Sequence, residues 1–229
     1  MFDSYREFPI SPWNFGLNRY MAYTRLQLDP HTPKRVKDLL AHVDMSFSDV
    51  HAMMRLPIHN YGIGAGCNFA ITHVLMSVIG GVSTTLYKQS GHVGTRFKEV
   101  LEGHYPWDLE PAGILPKVLG AEAIYNVFRN PLTHDLGLDV KLKSRGVVVK
   151  VKRLKTKTPG GNDRGLPEKF IESLENATIR PNMSAAVSAT PQKTVLLVEG
   201  LYWGVRVMIE RLTADRVRMA AADNFLAQF

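Results

Sequence analysis

The sequence predicts a mainly α-helical protein, a helical bundle with one small β-hairpin. Long segments carry apolar residues at three- and four-residue spacing, which is the pattern of amphipathic helices. One segment, at about 139–154, instead alternates apolar and basic residues with the period of two that is typical of a strand. The sequence shows no regular alternation of strands and helices, the pattern of a parallel sheet. We therefore expect a single helical domain over 31–229, preceded by an N-terminal arm, 1–30, that contains three prolines.

The helices are predicted from their periodicity and their start signals. The first should begin with Thr32 as N-cap and Pro33 in the first helical position, and should run to about residue 56. A second helix, at about 67–87, is apolar nearly all round and should lie at the centre of the bundle. The remaining helices are expected at about 94–102, 115–128, 167–174 and 191–212.

Composition limits the classes of protein to which the chain can belong. The 229 residues are 45% hydrophobic and 21% charged, a balance typical of a globular domain. The single cysteine, Cys67, excludes an intrachain disulfide and a cysteine-rich zinc site, as in proteins of a reducing compartment. The longest apolar run, 69–82, is shorter than the roughly 20 residues that a membrane span needs. We expect a cytoplasmic protein without a membrane span.

The segment YNVFRNPLTHDLG, 125–137, places an arginine and a histidine around an Asn-Pro step. Pro131 has no N–H and disfavours the helical conformation at Asn130, so a helix through this segment should end at Arg129. Asn130 would then be the N-cap of a new turn that carries His134. We expect this break to hold Arg129 and His134 near each other. In the alternative reading, Arg129 caps helix carbonyls and His134 is a hydrogen-bonded surface residue.

The hexapeptide RNPLTH, from Arg129 to His134, resembles the Arg-x(4–6)-His motif of the HEPN superfamily, in which a polar residue such as Asn often follows the arginine. The resemblance implies a bundle of about four or five helices with the motif at the end of one helix and the start of another. It also implies metal-independent RNA cleavage without a cofactor, as in dimeric toxins, antiviral effectors and CRISPR-associated ribonucleases. RNA, a second copy of the chain, and an antitoxin or other defence-complex protein are the partners it suggests. Because some HEPN-like proteins are not catalytic, a binding module or scaffold in a defence complex is the alternative.

The chemistry of these residues agrees with the catalytic reading. RNA cleavage without a metal needs a base for the ribose 2′-OH proton, an acid for the departing oxygen and a cation for the added phosphorane charge. His134 can serve as base or acid at neutral pH, and the Arg129 guanidinium can hold two phosphate oxygens. Asn130 is predicted to orient both, and the alternative is that it contacts the phosphate. Since the motif supplies one histidine per chain, we expect a two-fold dimer that brings two copies of His134 together.

A strongly basic segment follows the motif. Eight cations and no acid lie between residues 141 and 157, within a chain of net charge +7, and the predicted hairpin turns around 144–146. An excess of cations favours binding to phosphates. The alternative is a solvated strand face whose lysines prevent edge-to-edge aggregation. The candidate RNA-binding residues are Lys141, Lys143, Arg145, Lys150, Lys152, Arg153 and Lys155, with Lys157 as the eighth cation.

Three other features have weaker functional implications. The glycine-rich stretch YGIGAGC, 61–67, lacks the Lys-Ser/Thr pair of a phosphate-binding loop and predicts a tight turn. The spacing of His51, His59 and His73 places no two of them on adjacent turns of one helix, so we expect no metal site, and His73 should lie in the core. Glu199, alone in an apolar run, is either a buried partner of Arg129 or another base, or an exposed residue.

Overall fold

The computed structural model describes residues 23, 25–54, 67–109, 116–134, 148–152, 187–190 and 193–229. At residues 109, 133, 134, 148–152, 187–190, 193 and 199 only the backbone is described. The described part of the chain as a whole is mainly α-helical, as the sequence predicted. The helices are α1 (Lys34–Met54), α2 (Asn68–Val82), α3 (Val93–His104), α4 (Lys117–Ala123), α5 (Asn130–His134), α6 (Val198–Thr213) and α7 (Arg216–Leu226).

Two π-helical turns extend these helices. Ser83–Tyr87 continues α2, and Ile124–Arg129 joins α4 directly to α5. A short 3-10 turn, Trp107–Leu109, follows α3. The predicted helix at 167–174 lies outside the described residues.

The helix α2 lies at the centre of the bundle, in contact with α1, α3 and α6. Ile71, Leu75 and Ile79 are fully buried on it, because this stripe of apolar residues faces the neighbouring helices. The predicted central position of this helix is confirmed, but one side of it is exposed to solvent. His73 is exposed on the stripe that also carries Phe69, so it is not a core residue.

The helix α1 buries the face that its periodicity predicted. Val36, Phe47 and Val50 are completely inaccessible to solvent. The predicted cap was wrong, because Oγ1 of Thr32 is buried without a hydrogen-bond partner among the described residues. The helical hydrogen bonds begin instead with the Pro33 carbonyl, which accepts from the N–H of residue 37.

A three-stranded sheet packs beside the helices, and its strands are β1 (Val148–Lys152), β2 (Val187–Thr190) and β3 (Lys193–Leu197). The order is β1-β3-β2, with β1 parallel and β2 antiparallel to β3. β1 confirms a strand where the second arm of the hairpin was predicted, but its partner among the described residues is β3. The first arm and the turn lie outside the described residues, so the hairpin itself stays a prediction. The helix predicted from residue 191 was wrong in its first turns. Residues 193–197 form the central strand instead. A short apolar run is compatible with a helix or a strand, and here the neighbouring strands β1 and β2 provide the hydrogen-bond partners for a strand.

The described part of the N-terminal arm lies across α1 and α6. The Tyr23 hydroxyl donates to the Asp44 carboxylate on α1. The N–H groups of Gln27 and Asp29 donate to Glu210 and Thr213 on α6, each over 3.4 Å. Residues 1–22, the rest of the predicted arm, lie outside the described residues.

One helix among the described residues, Asn68–Tyr87, is long and apolar enough to cross a membrane, with mean hydropathy 1.6 in its most apolar window. Half of that window is buried inside the protein. The buried half is the stripe that packs against the neighbouring helices of the bundle.

Candidate functional site

The Arg-x4-His segment lies on one uninterrupted helix that runs from Lys117 to His134 through the π-helical turn. Asn130 has helical dihedral angles, φ −62° and ψ −50°, and its N–H donates to the carbonyl of Tyr125, five residues earlier. The predicted break at Arg129 was therefore wrong. Asn130 is not an N-cap, since an N-cap residue has extended dihedral angles.

The π-helical turn explains how the helix continues through the proline. In a regular α-helix the Pro131 ring would clash with the carbonyl four residues earlier, and Pro131 could not donate to that carbonyl. A π-turn moves the hydrogen bonds one residue further back, so that carbonyl is no longer the required acceptor. Pro131 is buried in this arrangement. Single π-turns inside α-helices occur frequently at functional sites.

The Arg129 side chain is held from two directions. Its Nη1 donates to Oδ1 of Asn130 over 2.9 Å, and its Cζ lies 5.4 Å from the centroid of the Tyr125 ring. Arg129, Asn130 and Tyr125 are all half-buried, so the guanidinium is oriented and still reaches the surface. Tyr125 was not predicted as a site residue, although its position four residues before Arg129 is a signal that helical spacing provides.

Tyr125 is positioned in turn by α3. Its ring packs against Phe97 with centroids 5.3 Å apart. Its hydroxyl lies against Gly94, where a Cβ atom would come within 2.5 Å of the tyrosine oxygen. A glycine at this position therefore lets the tyrosine ring, and with it Arg129, approach α3.

The other predicted site residues are only partly described. His134 ends α5, and the structure describes its backbone alone. Lys150 and Lys152 lie on β1, where they pair in register with Val195 and Leu197 of β3. Both α5 and β1 contact α2, so the motif and this basic strand adjoin the same helix. The remaining basic candidates, Lys141, Lys143, Arg145, Arg153, Lys155 and Lys157, lie outside the described residues.

The other histidines, the glycine-rich stretch and Glu199 provide little support for a further binding or metal site. His51 is buried edge-on against Tyr23, with ring centroids 5.8 Å apart. His59 and the glycine-rich stretch before Cys67 lie outside the described residues. Within the described part of the chain no group of three His, Cys, Asp or Glu residues could hold a metal ion. Glu199 is the second residue of α6, and only its backbone is described, so its pairing with Arg129 stays a prediction.

A second polar cluster, which the sequence did not indicate, lies in the core around Arg206. This residue is 3% exposed, and its Cζ lies 5.2–5.5 Å from the ring centroids of Tyr23, Phe47, Tyr202 and Trp203. Its Nη1 donates to the Tyr23 hydroxyl at 3.1 Å and to the Tyr202 hydroxyl at 3.2 Å. Burial raises the pKa of Tyr202 to about 12, so this hydroxyl stays protonated at neutral pH.

Comparison with known proteins gives no relative. No family model matches the chain, and neither the curated proteins nor the solved structures contain a significant match. Functional inference therefore depends on the chemistry of the residues themselves.

Proposed function

We propose that this protein is a cytoplasmic, metal-independent endoribonuclease of a bacterial defence or toxin system. The observation that carries the proposal is the Arg129 guanidinium, held half-buried by Asn130 and Tyr125 on the same helix as His134. An oriented guanidinium suits a phosphate group, because its planar fork matches two phosphate oxygens. The resemblance of this segment to the HEPN motif supports RNA as the phosphate-bearing substrate of this proposal.

The reaction needs only groups that two copies of this motif supply. The ribose 2′-oxygen attacks phosphorus as one His134 takes the 2′-OH proton. The bond from phosphorus to the 5′-oxygen breaks, and the 5′-oxygen receives a proton from the second copy of His134. Arg129 stabilises the charge that builds up on the phosphate oxygens. The products are a 2′,3′-cyclic phosphate and a 5′-hydroxyl.

The position of β1 supports an RNA path that leads away from the motif. Lys150 and Lys152 belong to the strand that contacts α2, the same helix that α5 contacts. A row of cations beside the site would bind successive phosphates of a single strand through charge neutralisation.

The alternative is a non-enzymatic HEPN-like module that binds RNA or a partner protein. One observation favours it: Asn130 and Tyr125 already engage the Arg129 guanidinium, as a structural arginine at a helix irregularity would be engaged. The two readings differ in whether the wild-type protein cleaves RNA.

The test is incubation of the pure protein with end-labelled single-stranded RNA in EDTA. Arg129→Ala and His134→Ala should each reduce cleavage at least about a hundredfold, the usual scale for loss of a charge stabiliser or an acid–base group. Asn126→Ala, at an exposed position of the same π-helical turn, is the matched control and should cleave normally. Full activity in a folded His134→Ala protein would refute the assignment. Binding without cleavage by the wild type would favour the module.

A further inference from the structure

Two contacts between an aromatic ring and a glycine hold α3 against the helix that carries the motif. The Tyr125 ring lies against Gly94 of α3, where a Cβ atom would come within 2.5 Å of the tyrosine oxygen and 2.7 Å of Cζ. The Trp107 ring, which follows α3, lies against Gly120 of α4, where a Cβ atom would come within 2.6 Å of the indole. Because neither glycine has the Cβ atom that would push the ring away, the two helices can approach closely at both points.

The Tyr125 ring connects α3 to the arginine of the motif. On one side the ring packs against Phe97 of α3, with centroids 5.3 Å apart, and Cζ of Arg129 lies 5.4 Å from the same ring centroid. A guanidinium within about 6 Å of an aromatic centroid is attracted to the ring. The position of the ring, which α3 determines through Gly94 and Phe97, therefore influences where the guanidinium lies.

We propose that Gly94 and Tyr125 are positioning residues of the candidate site. Gly94 gives the tyrosine ring its place, and the ring holds the Arg129 guanidinium in the orientation that an RNA phosphate requires. The inference rests on the proposed function for the identity of that ligand. A misplacement of about 1 Å at a reacting group can cost about a hundredfold in rate, so a glycine on another helix can matter to the reaction without touching RNA.

Gly94→Ala is the informative variant, because it leaves both the tyrosine and the arginine in the chain. Alanine is the more favourable residue in a helix, so a loss at this position would come from the displaced ring. Gly103→Ala, on the same helix, is the matched control, since a Cβ atom there meets nothing within 4 Å. Tyr125→Leu removes the aromatic ring, whereas Tyr125→Phe keeps it.

The first measurement is the mobility of the Arg129 guanidinium, from nitrogen-15 relaxation of its Nε–H group. In the wild type, Tyr125→Phe and Gly103→Ala the order parameter should be that of a held side chain. In Gly94→Ala and Tyr125→Leu it should fall below about 0.6, the range of a flexible group. Order parameters that stay at the wild-type value in these two variants would overturn the inference. Thermal melting checks the fold, and the comparison of Tyr125→Leu with Tyr125→Phe decides the matter if Gly94→Ala unfolds.

The second measurement is the cleavage rate at saturating RNA. Gly94→Ala and Tyr125→Leu should each lower this rate about tenfold or more, while Tyr125→Phe and Gly103→Ala should cleave nearly as the wild type does. The double variant should be no slower than Tyr125→Leu alone, because the alanine then has no ring to displace. Additive losses in the double variant would indicate two independent defects and would overturn the coupling of Gly94 to Arg129 through Tyr125.

The outcomes separate this inference from the proposed function. A wild type that does not cleave RNA would refute the ribonuclease. Fluorescence anisotropy with a 2′-O-methylated single-stranded oligonucleotide, which the proposed reaction cannot cleave, then replaces the rate. Weaker binding by Gly94→Ala than by Gly103→Ala would still support the positioning role, and equal binding would overturn it. A wild type that neither binds nor cleaves RNA would refute both.

Discussion

Nη1 of Arg129 donates a hydrogen bond to Oδ1 of its sequence neighbour Asn130, over 2.9 Å, on a helix that passes through the following proline. The amide oxygen accepts this hydrogen bond without bringing a negative charge of its own. A carboxylate in the same place would orient Arg129 and also neutralise it. This difference makes Asn130 a direct probe of whether Arg129 binds an anion.

Asn130→Asp should lower RNA affinity by about tenfold, because the new carboxylate repels phosphate and pairs with Arg129, while the free energy of unfolding should fall by less than about 0.5 kcal/mol. Asn126→Asp introduces the same charge at an exposed position of the preceding turn and should have a smaller effect. Anisotropy and urea unfolding measure the two quantities. Equal affinities for the two variants would indicate that Arg129 has only a structural role.

The proposed reaction requires two histidines, and one motif supplies one. We therefore expect light scattering to show a two-fold dimer, and the specific cleavage rate to fall on dilution as the dimer dissociates. A monomer whose cleavage rate stays proportional to protein concentration would contradict the composite site.

The lysines of β1 are expected to contribute to RNA binding through charge. Lys150→Gln with Lys152→Gln should weaken binding and flatten its dependence on salt, by about 0.7 in the logarithmic slope for each lost phosphate contact. Lys34→Gln with Lys37→Gln, at exposed positions of α1, makes the same change in charge away from the motif and should leave the slope nearly unchanged. Identical slopes for the two double variants would support the edge-protection reading of the basic strand.

We expect the protein to lose stability when the cluster around Arg206 loses a hydrogen bond. Tyr23→Phe keeps the aromatic ring and removes the hydroxyl that joins Arg206 to Asp44, so a buried guanidinium loses an acceptor. The free energy of unfolding should fall by about 2 kcal/mol, the scale for a hydrogen bond to a charged group. Tyr87→Phe, at a half-buried position outside the cluster, is the control for urea unfolding. Equal stabilities of the two variants would argue against the cluster as a stabilising element.

His104, the last residue of α3, is half-buried edge-on to Tyr87, with ring centroids 5.7 Å apart. The Arg218 guanidinium lies over the same Tyr87 ring, 4.2 Å from its centroid. Burial, together with the charges of Arg218 and Arg211, lowers the pKa of His104 below its usual 6.5, against the opposing effect of Asp215. The folded protein therefore binds this proton more weakly than the unfolded chain does.

The sign of the pH dependence follows from this lowered pKa. The stabilising effect of neutral His104 is fully present above pH 6.5 and is lost as the pH falls below 6.5 towards the pKa of the folded state. Between pH 7.5 and 5.5 the free energy of unfolding should fall more steeply for the wild type than for His104→Gln. His42→Gln, which removes an exposed histidine, should retain the wild-type slope. Parallel curves for the wild type and His104→Gln would exclude this role for His104.

Local sequence was sufficient for the helices that bury one regular face. The apolar spacing of the first helix indicated a buried face, on which Val36, Phe47 and Val50 lie, and the helix predicted at about 94–102 is found as α3, Val93–His104. In the site, the adjacency of Arg129 and Asn130 was evident from the sequence. Tyr125 could have been added from its spacing of four residues, because neighbouring turns of a helix bring such residues together.

Tertiary structure decided the features in which distant segments compete with local preference. Lys193–Leu197 is a strand because β1 and β2 supply hydrogen-bond partners on both sides, where the apolar pattern alone allowed a helix. The helix continues through Pro131 because a π-turn removes the need for the α-helical bond at that position. Tyr125 takes its place beside Arg129 against α3 only because Gly94 and Phe97 of α3 pack against the π-helical turn. The pattern along one segment specifies which of its faces is apolar, whereas the partner that covers that face comes from elsewhere in the chain.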